Sequence, residues 1–291
     1  MKRQKVAVIA IFVASAIIIA GCVARQQEQA AAEAEERADS LNVDSLLSAA
    51  DTLLLDKETE FTPLPSTVDE FFGDFIFNFD QSNRLQRNRI KFPLTIKEAD
   101  GTSHAIGRND WKHHYLFLQQ DYCTVLWPSR KDMDLAQDTS LTKAHVEQIY
   151  LHSRQLHDYQ FERDSITRQW YLTQESILPL EKSELLAFCL FYNDFVADSV
   201  YQRHHVSNPL RYTTYEEESG YTPISGTIDA DQWFEFQPDM PTDVLVNINY
   251  GQRYQHPSRI HMEMRGINNG MQCLFSFQRE GENWRLTAFE N

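Results

Sequence analysis

One stretch of this chain occurs twice. Leu85-Gln86-Arg87-Asn88-Arg89-Ile90-Lys91-Phe92-Pro93-Leu94 returns as Tyr201-Gln202-Arg203-His204-His205-Val206-Ser207-Asn208-Pro209-Leu210, displaced by 116 positions (203 − 87). A repeat at fixed spacing decides architecture before any local signal does. Here it predicts two similar domains in tandem, not one large one. The copy extends well beyond the motif. Upstream, Val68, Phe71, Phe72, Phe75, Ile76 and Phe79 fall on one helical stripe, and Ala187, Phe188, Phe191, Tyr192 and Phe195 redraw it. Thr67 with Glu70 reads as a capping box, and Ser183 is the matching N-cap. Downstream, Ile106 to Trp111 parallels Ile228 to Trp233 at an offset of 122, which gives the second copy six extra residues (122 − 116). They fit the 215–221 region, where Glu216-Glu217-Glu218-Ser219-Gly220 predicts a loop.

The closing third of each copy reads as strands. Ile260, Met262 and Met264 alternate with His261, Glu263 and Arg265, Cys273, Phe275 and Phe277 alternate with Leu274, Ser276 and Gln278, and Gly281-Glu282-Asn283 turns the chain into Trp284-Arg285-Leu286. Period two with glycine and asparagine turns predicts an antiparallel meander with one buried face. The first copy matches with Val146–Ser153, Tyr159–Ser165 and Gln169–Ser176, and Phe161 to Thr173 parallels Phe275 to Thr287. The expected fold class is α+β: two tandem cone-like domains, 67–178 and 179–291, each with N-terminal helices packed on a curved antiparallel sheet. Each span is long enough for a core of its own.

The N-terminus carries a targeting signal. Met1-Lys2-Arg3-Gln4-Lys5 is basic, Val6 to Ala20 is apolar, and Ile19-Ala20-Gly21-Cys22 closes the run with small residues before a cysteine. This is the layout of a secretory signal, and the apolar run is short for a membrane span of roughly 20 residues. The tetrad resembles the lipobox of bacterial lipoproteins, which implies that residues 1–22 form a signal peptide ending at a lipidated Cys22. Acyl chains contribute roughly 0.8 kcal/mol per buried methylene, so two or more would hold the protein to the membrane. Residues 23–66, Gln/Ala/Glu-rich with a Leu46–Leu55 patch, read as a tether. Loss of three basic residues with the leader takes the formal charge from −15 to −18 (−15 − 3). That acidity argues against nucleic acid and against anionic lipid heads as partners. The expected location is extracytoplasmic: a membrane-anchored lipoprotein of the outer membrane or cell envelope.

The order of elements resembles the nuclear transport factor 2-like fold, the cystatin-like cone, and the tandem behind a lipobox resembles a bacterial lipoprotein family of unknown function. The residues carrying this resemblance are Phe75-Ile76-Phe77-Asn78-Phe79, Gln86-Arg87, Phe92-Pro93-Leu94, their second-copy equivalents, and the Trp170 and Trp284 strands. It implies a sheet curled around helices, with a pocket that serves isomerases, dehydratases and binding modules alike. It fixes no function.

The chemistry is sparse. His113-His114 and His204-His205 are adjacent pairs that point apart, and no spaced His or Cys motif calls for a metal. No phosphate-cradling glycine loop or nucleophile elbow is present, and nothing calls for a cofactor. Three cysteines remain after Cys22. Cys189 and Cys273 share a copy and would be the pair to bridge, but Gly73 stands where Cys189 would repeat, so Cys123, Cys189 and Cys273 are expected as buried thiols. The candidate pocket residues are Arg87, Arg203, Trp111, Trp233, His261 and Glu263. Duplication favours a scaffold role for the arginines and tryptophans. His261 and Glu263 share one strand face, which the sequence leaves either concave or exposed. Asp74 and Asp194 read as solvated helix positions. Function is expected where the copies differ: His204-His205 against Asn88-Arg89, the 215–221 loop, and the face of His261 and Glu263. The expectation is a membrane-anchored, non-catalytic binding module for an envelope protein or a small apolar ligand. The alternatives are an isomerase- or dehydratase-like enzyme with an acid–base pocket in one cone, and a structural envelope protein.

Overall fold

In the computed structural model, residues 66–216 and 222–291 are described. Cys22, the leader, the tether and the tip of the 215–221 loop therefore lie outside the described residues. Helices α1 (Phe72–Gln81) and α2 (Asn83–Asn88) open the first copy, and α3 (Leu186–Ala197) and α4 (Ser199–His204) open the second. The α1 stripe packs as expected, with Phe72, Phe75, Ile76 and Phe79 buried. Its start differs from expectation. A 3₁₀ turn spans Ser66–Asp69, the helix begins at Phe72, and its N-cap Phe71 makes no side-chain cap bond. In the second copy a 3₁₀ turn over Leu180–Lys182 likewise precedes the helix, and the Ser183 hydroxyl accepts from Leu185 N at 3.1 Å just after that turn. Each 3₁₀ turn ends before its helix begins, so the expected capping residues sit outside the helices they were expected to start.

The first copy supplies β1 (Ile90–Lys97), β2 (Ser103–Ile106), β3 (Tyr122–Trp127), β4 (Lys143–Tyr150), β5 (Gln155–Arg163) and β6 (Trp170–Pro179). The second supplies β7 (Val206–Glu216), β8 (Thr222–Ile228), a short α5 (Trp233–Phe236), β9 (Val244–Asn249), β10 (Arg259–Gly266), β11 (Gln272–Glu280) and β12 (Asn283–Glu290). All twelve form one sheet in the order β2-β1-β6-β5-β4-β9-β3-β10-β11-β12-β7-β8. The copies exchange a strand. β9 of the second copy pairs with β4 of the first, and β3 of the first pairs with β10 of the second. β3 and β9 meet in parallel at the centre, where Thr124 stands opposite Asn247.

The exchange is legible in the burial. Cys123, Val125 and Trp127 of β3 lie in one apolar cluster with α1, whereas Leu126 lies in the other with α3. Val246 and Ile248 of β9 join the first cluster and Leu245 the second. Successive side chains of a strand point to opposite faces. The two cores therefore sit on opposite faces of the sheet and both draw on the central strands. Side chains hold this seam. Leu126 N donates to Asn247 Oδ1 at 2.8 Å, Gln252 Nε2 donates to the carbonyls of Leu126 (3.2 Å) and Ile248 (3.1 Å), and the Tyr254 hydroxyl donates to Leu126 O at 2.6 Å.

Register fixes the equivalence of the copies. Phe161 faces Leu172 as Phe277 faces Leu286, so Phe161 matches Phe277, not Phe275 as the sequence suggested. The offset of 116 persists through β4 and β5, and the turn before Trp284 is two residues shorter. His261 and Glu263 thereby become the duplicates of His145 and Glu147 (261 − 145 = 263 − 147 = 116). The expectation that this strand face marks a difference between the copies is thus corrected: the residues themselves are repeated, and only their neighbours differ. Cys123, Cys189 and Cys273 are free and buried.

Candidate functional site

The inward face of the first half is apolar near Trp170 and polar at the other end of β4, β5 and β6. Tyr159 stands opposite Glu175, and Gln148 opposite His157. Glu175 points inward because of a bulge. Trp170 and Leu172 face the core, and strict alternation would send Gln174 inward. The register slips between Gln160 and Phe161, so Thr173 becomes an extra residue and Glu175 takes the inward place.

His114 completes the group from the segment between β2 and β3. Its Nε2 lies 2.6 Å from the Tyr159 hydroxyl. Gln148 accepts from the hydroxyls of Tyr150 (3.1 Å) and Tyr159 (3.5 Å), and its Nε2 donates to Leu116 O at 2.9 Å. Gln86, from the duplicated motif, positions this segment: its Nε2 donates to His114 O (2.7 Å), and its Oε1 accepts from His114 N (3.0 Å) and Trp111 Nε1 (3.1 Å). Buried Asp80 accepts from the backbone N–H groups of Leu116 and Phe117.

The electrostatics set these groups apart. Burial pushes the Glu175 carboxyl up to about 7; the Tyr159 hydroxyl holds the shift back and the Glu98 charge adds to it. Burial, with His157 and His113 nearby, lowers His114, and burial lowers His157, so both imidazoles are neutral at pH 7. Burial drives the Tyr159 hydroxyl far upward, so it remains protonated. The cluster therefore offers one carboxyl that exchanges a proton near neutrality, beside a phenol and neutral imidazoles.

The second half has nothing of the kind. By register, Phe275 and Phe289 replace Tyr159 and Glu175, Cys273 replaces His157, and Met264 replaces Gln148. All four are core residues. Phe236 stands three residues past Trp233, as His114 does past Trp111.

The residues singled out from the sequence do not form one site. Arg87 donates to the carbonyls of Arg108 (3.0 Å) and Trp111 (2.8 Å), tying α2 to the segment that leads to His114. Trp111 is a buried anchor on Gln86. Arg203 pairs with Asp231 and lies over the Phe234 ring at 5.2 Å, and Trp233 is fully buried. Glu263 is a buried acceptor for Trp127 Nε1 (2.8 Å), Arg265 (2.9 and 3.0 Å) and Gln272 (2.8 Å). His261 Nδ1 lies 2.9 Å from Ser276 Oγ, and its ring lines an open groove. Arg89 is bound by Asp69, and His205 stacks on Tyr201, so the Asn88-Arg89 and His204-His205 difference is local scaffolding. Sequence reasoning passed over Tyr159, Glu175, His114, Gln148 and His157. The available signal was their pairing, at the corrected offset, with apolar residues of the second copy.

Helices over one curved sheet, with a polar inward cluster, define an α+β cone protein of the nuclear transport factor 2-like class. The chain matches the family described as "Domain of unknown function (DUF4348)" over residues 50–291 and belongs to it. It is similar to an NTF2-like protein from Bacteroides fragilis NCTC 9343 of known crystal structure, with 38% sequence identity and a TM-score of 0.72, over 78% of this chain and 98% of that one. No curated protein matches the chain.

Proposed function

We propose that this protein is a lipid-tethered extracytoplasmic binding protein of two tandem cones, whose first cone takes a small polar ligand at Tyr159, His114, Gln148 and Glu175. The carrying observation is asymmetry. Burying a large apolar side chain stabilises a fold by about 1.5–3 kcal/mol. The second half places Phe275, Met264 and Phe289 in its core where the first half has Tyr159, Gln148 and Glu175, and the first half forgoes that gain at Gln148 and Glu175. Retaining a half-ionised carboxyl there is reasonable where a ligand uses it. The polar character of this cluster favours a polar ligand over the apolar one expected from the sequence.

A second reading is favoured by Glu175 alone. A carboxyl held up to about 7 suits general acid–base work on a bound molecule, in the manner of an isomerase or dehydratase. One experiment separates the readings. Small polar metabolites are screened by thermal shift against the mature protein and against Tyr159→Phe. Ligands that stabilise the wild type but not the variant support the site, and ligands that bind both equally refute it. Incorporation of solvent deuterium into such a ligand, with an inflection near pH 7 that Glu175→Gln abolishes, supports catalysis. Binding without exchange supports a binding module. The lipid tether rests on Ile19-Ala20-Gly21-Cys22, and the membrane through that anchor is the expected partner.

A further inference from the structure

A groove of about 650 Å³ lies on the face of the second half opposite its helices, between Pro128-Ser129-Arg130 and the β7–β8 hairpin. Its walls carry Arg130, Arg211, Arg259 and His261, with Glu290 as the one carboxylate. In a chain of formal charge −15 this is a local reversal of sign. The hydroxyls of Ser129, Thr213, Ser225, Ser276 and Thr287 also line it.

The first copy shows what changed. There His145 Nδ1 lies 2.8 Å from Asp158 Oδ1, and Lys143 pairs with Glu162 at 2.8 Å. By register, Leu274 replaces Asp158, Gln278 replaces Glu162, and Arg211 replaces Thr95. Against these, Glu290 replaces Ser176 and Thr213 replaces Lys97, so the net change over the five positions is one unit toward positive (3 − 2), and the duplicated histidine has kept its place and lost its carboxylate partner. Arg130 is engaged by Glu290. Arg259 Nε donates to Gln278 and Arg211 Nε to Thr287 O. Among the described residues, the terminal nitrogens of Arg259 and Arg211 make no hydrogen bond. Guanidinium forks of this kind bind carboxylate and phosphate oxygens in pairs.

We propose that this groove is a binding site for a small hydroxylated molecule bearing an oxyanion, with Arg259 and Arg211 gripping the anionic group, His261 beside it, and the hydroxyl side chains holding the body. The site is separate from the Tyr159–Glu175 cluster and stands or falls independently of it.

The test uses the mature protein with labelled histidines, observed by NMR. Inorganic phosphate and glucuronate are titrated separately. His261 faces Arg130, Arg259 and Arg211 with Glu290 nearby, and burial followed by Arg130 and Arg259 lowers it to about 4. Bound anion should shift the His261 resonances and raise its pKa while leaving His145 unmoved. Arg259→Gln and Arg211→Gln, both at the surface, should each weaken binding about tenfold or more. Saturation by glucuronate at lower concentration than by phosphate identifies a sugar acid, and the reverse order a phosphate ester. Unmoved His261 resonances at tens of millimolar of both anions would overturn the proposal, as would equal binding by both variants.

Discussion

Replacing Glu175 with glutamine should make the protein more stable, by an amount that depends on pH. The carboxyl has an ordinary value of 4.5 and is pushed up to about 7 in the fold. A group raised on folding contributes stability that is fully present below its unfolded pKa and lost as pH rises through its folded pKa. Glu175 is therefore compatible with the fold near pH 4.5 and increasingly costly through pH 7. The difference of about 2.5 units at 1.36 kcal/mol each is about 3 kcal/mol at pH 8.5. Glutamine keeps the shape and an acceptor for the Tyr159 hydroxyl without a charge. Its expected gain is about 3 kcal/mol at pH 8.5 and close to zero at pH 4.5. For a unit of this size, 1 kcal/mol corresponds to roughly 2–4 °C, so the melting temperature should rise by about 6–12 °C at the higher pH. Circular dichroism melts of wild type and Glu175→Gln at both pH values test this. All other titrating groups are common to the pair, so the change in their difference isolates position 175. Parallel melting temperatures at the two pH values would refute the reasoning, because they would mean that Glu175 ionises in the fold as it does in water.

Three further outcomes are expected. Asn247→Ala removes the acceptor for Leu126 N and a donor to Glu147 (2.7 Å) at the strand exchange, and should lower stability by about 2–4 kcal/mol in urea titrations; a loss under 0.5 kcal/mol would show that the seam does not depend on it. Residues 179–291 expressed alone lack β3, which supplies Leu126 and the Trp127 partner of Glu263. That fragment should fail to give a cooperative monomer in melts and size-exclusion chromatography, and a stable monomer would show that β9 can fill the vacancy. Cys22→Ala should move the protein from the membrane fraction to the soluble fraction in its native host, and unchanged membrane retention would rule out the lipid anchor.

The fold class was legible because both periodicities are strong. Phe72, Phe75, Ile76 and Phe79 can serve only as one helix face, and β10 and β11 pair antiparallel as expected, with Ile260, Met262 and Met264 opposite Phe277, Phe275 and Cys273, although both strands are buried on both faces. The strand exchange was not legible. β3 and β9 are buried on both faces, and such a strand carries no mark of which sheet it joins. Glu175 was missed for a different reason. Counting by two from Trp170 places it on the outer face, and only the bulge at Thr173 turns it inward. An alignment two residues out of register then hid the contrast between Glu175 and Phe289.

The duplicated Gln-Arg motif has been kept in letters and divided in use. In the first copy Gln86 bonds Trp111 and both backbone groups of His114, so the motif positions the segment that carries the imidazole against Tyr159. In the second copy Gln202 is also buried, but the Trp233 indole N–H has no partner among the described residues, and Phe236 follows where His114 would stand. Trp170 and Trp284 behave alike: both indoles are buried against an equivalent phenylalanine, Phe72 and Phe188, and neither N–H is bonded among the described residues. Shared packing therefore explains the Trp170 strand in both copies, whereas shared bonding does not explain the Gln-Arg motif. Relative to its own helices, the first copy adds an inward polar cluster at Tyr159 and Glu175, and the second an outward arginine pair at Arg211 and Arg259. Because the two helical layers cover opposite faces, both polar regions come to lie on one face of the shared sheet.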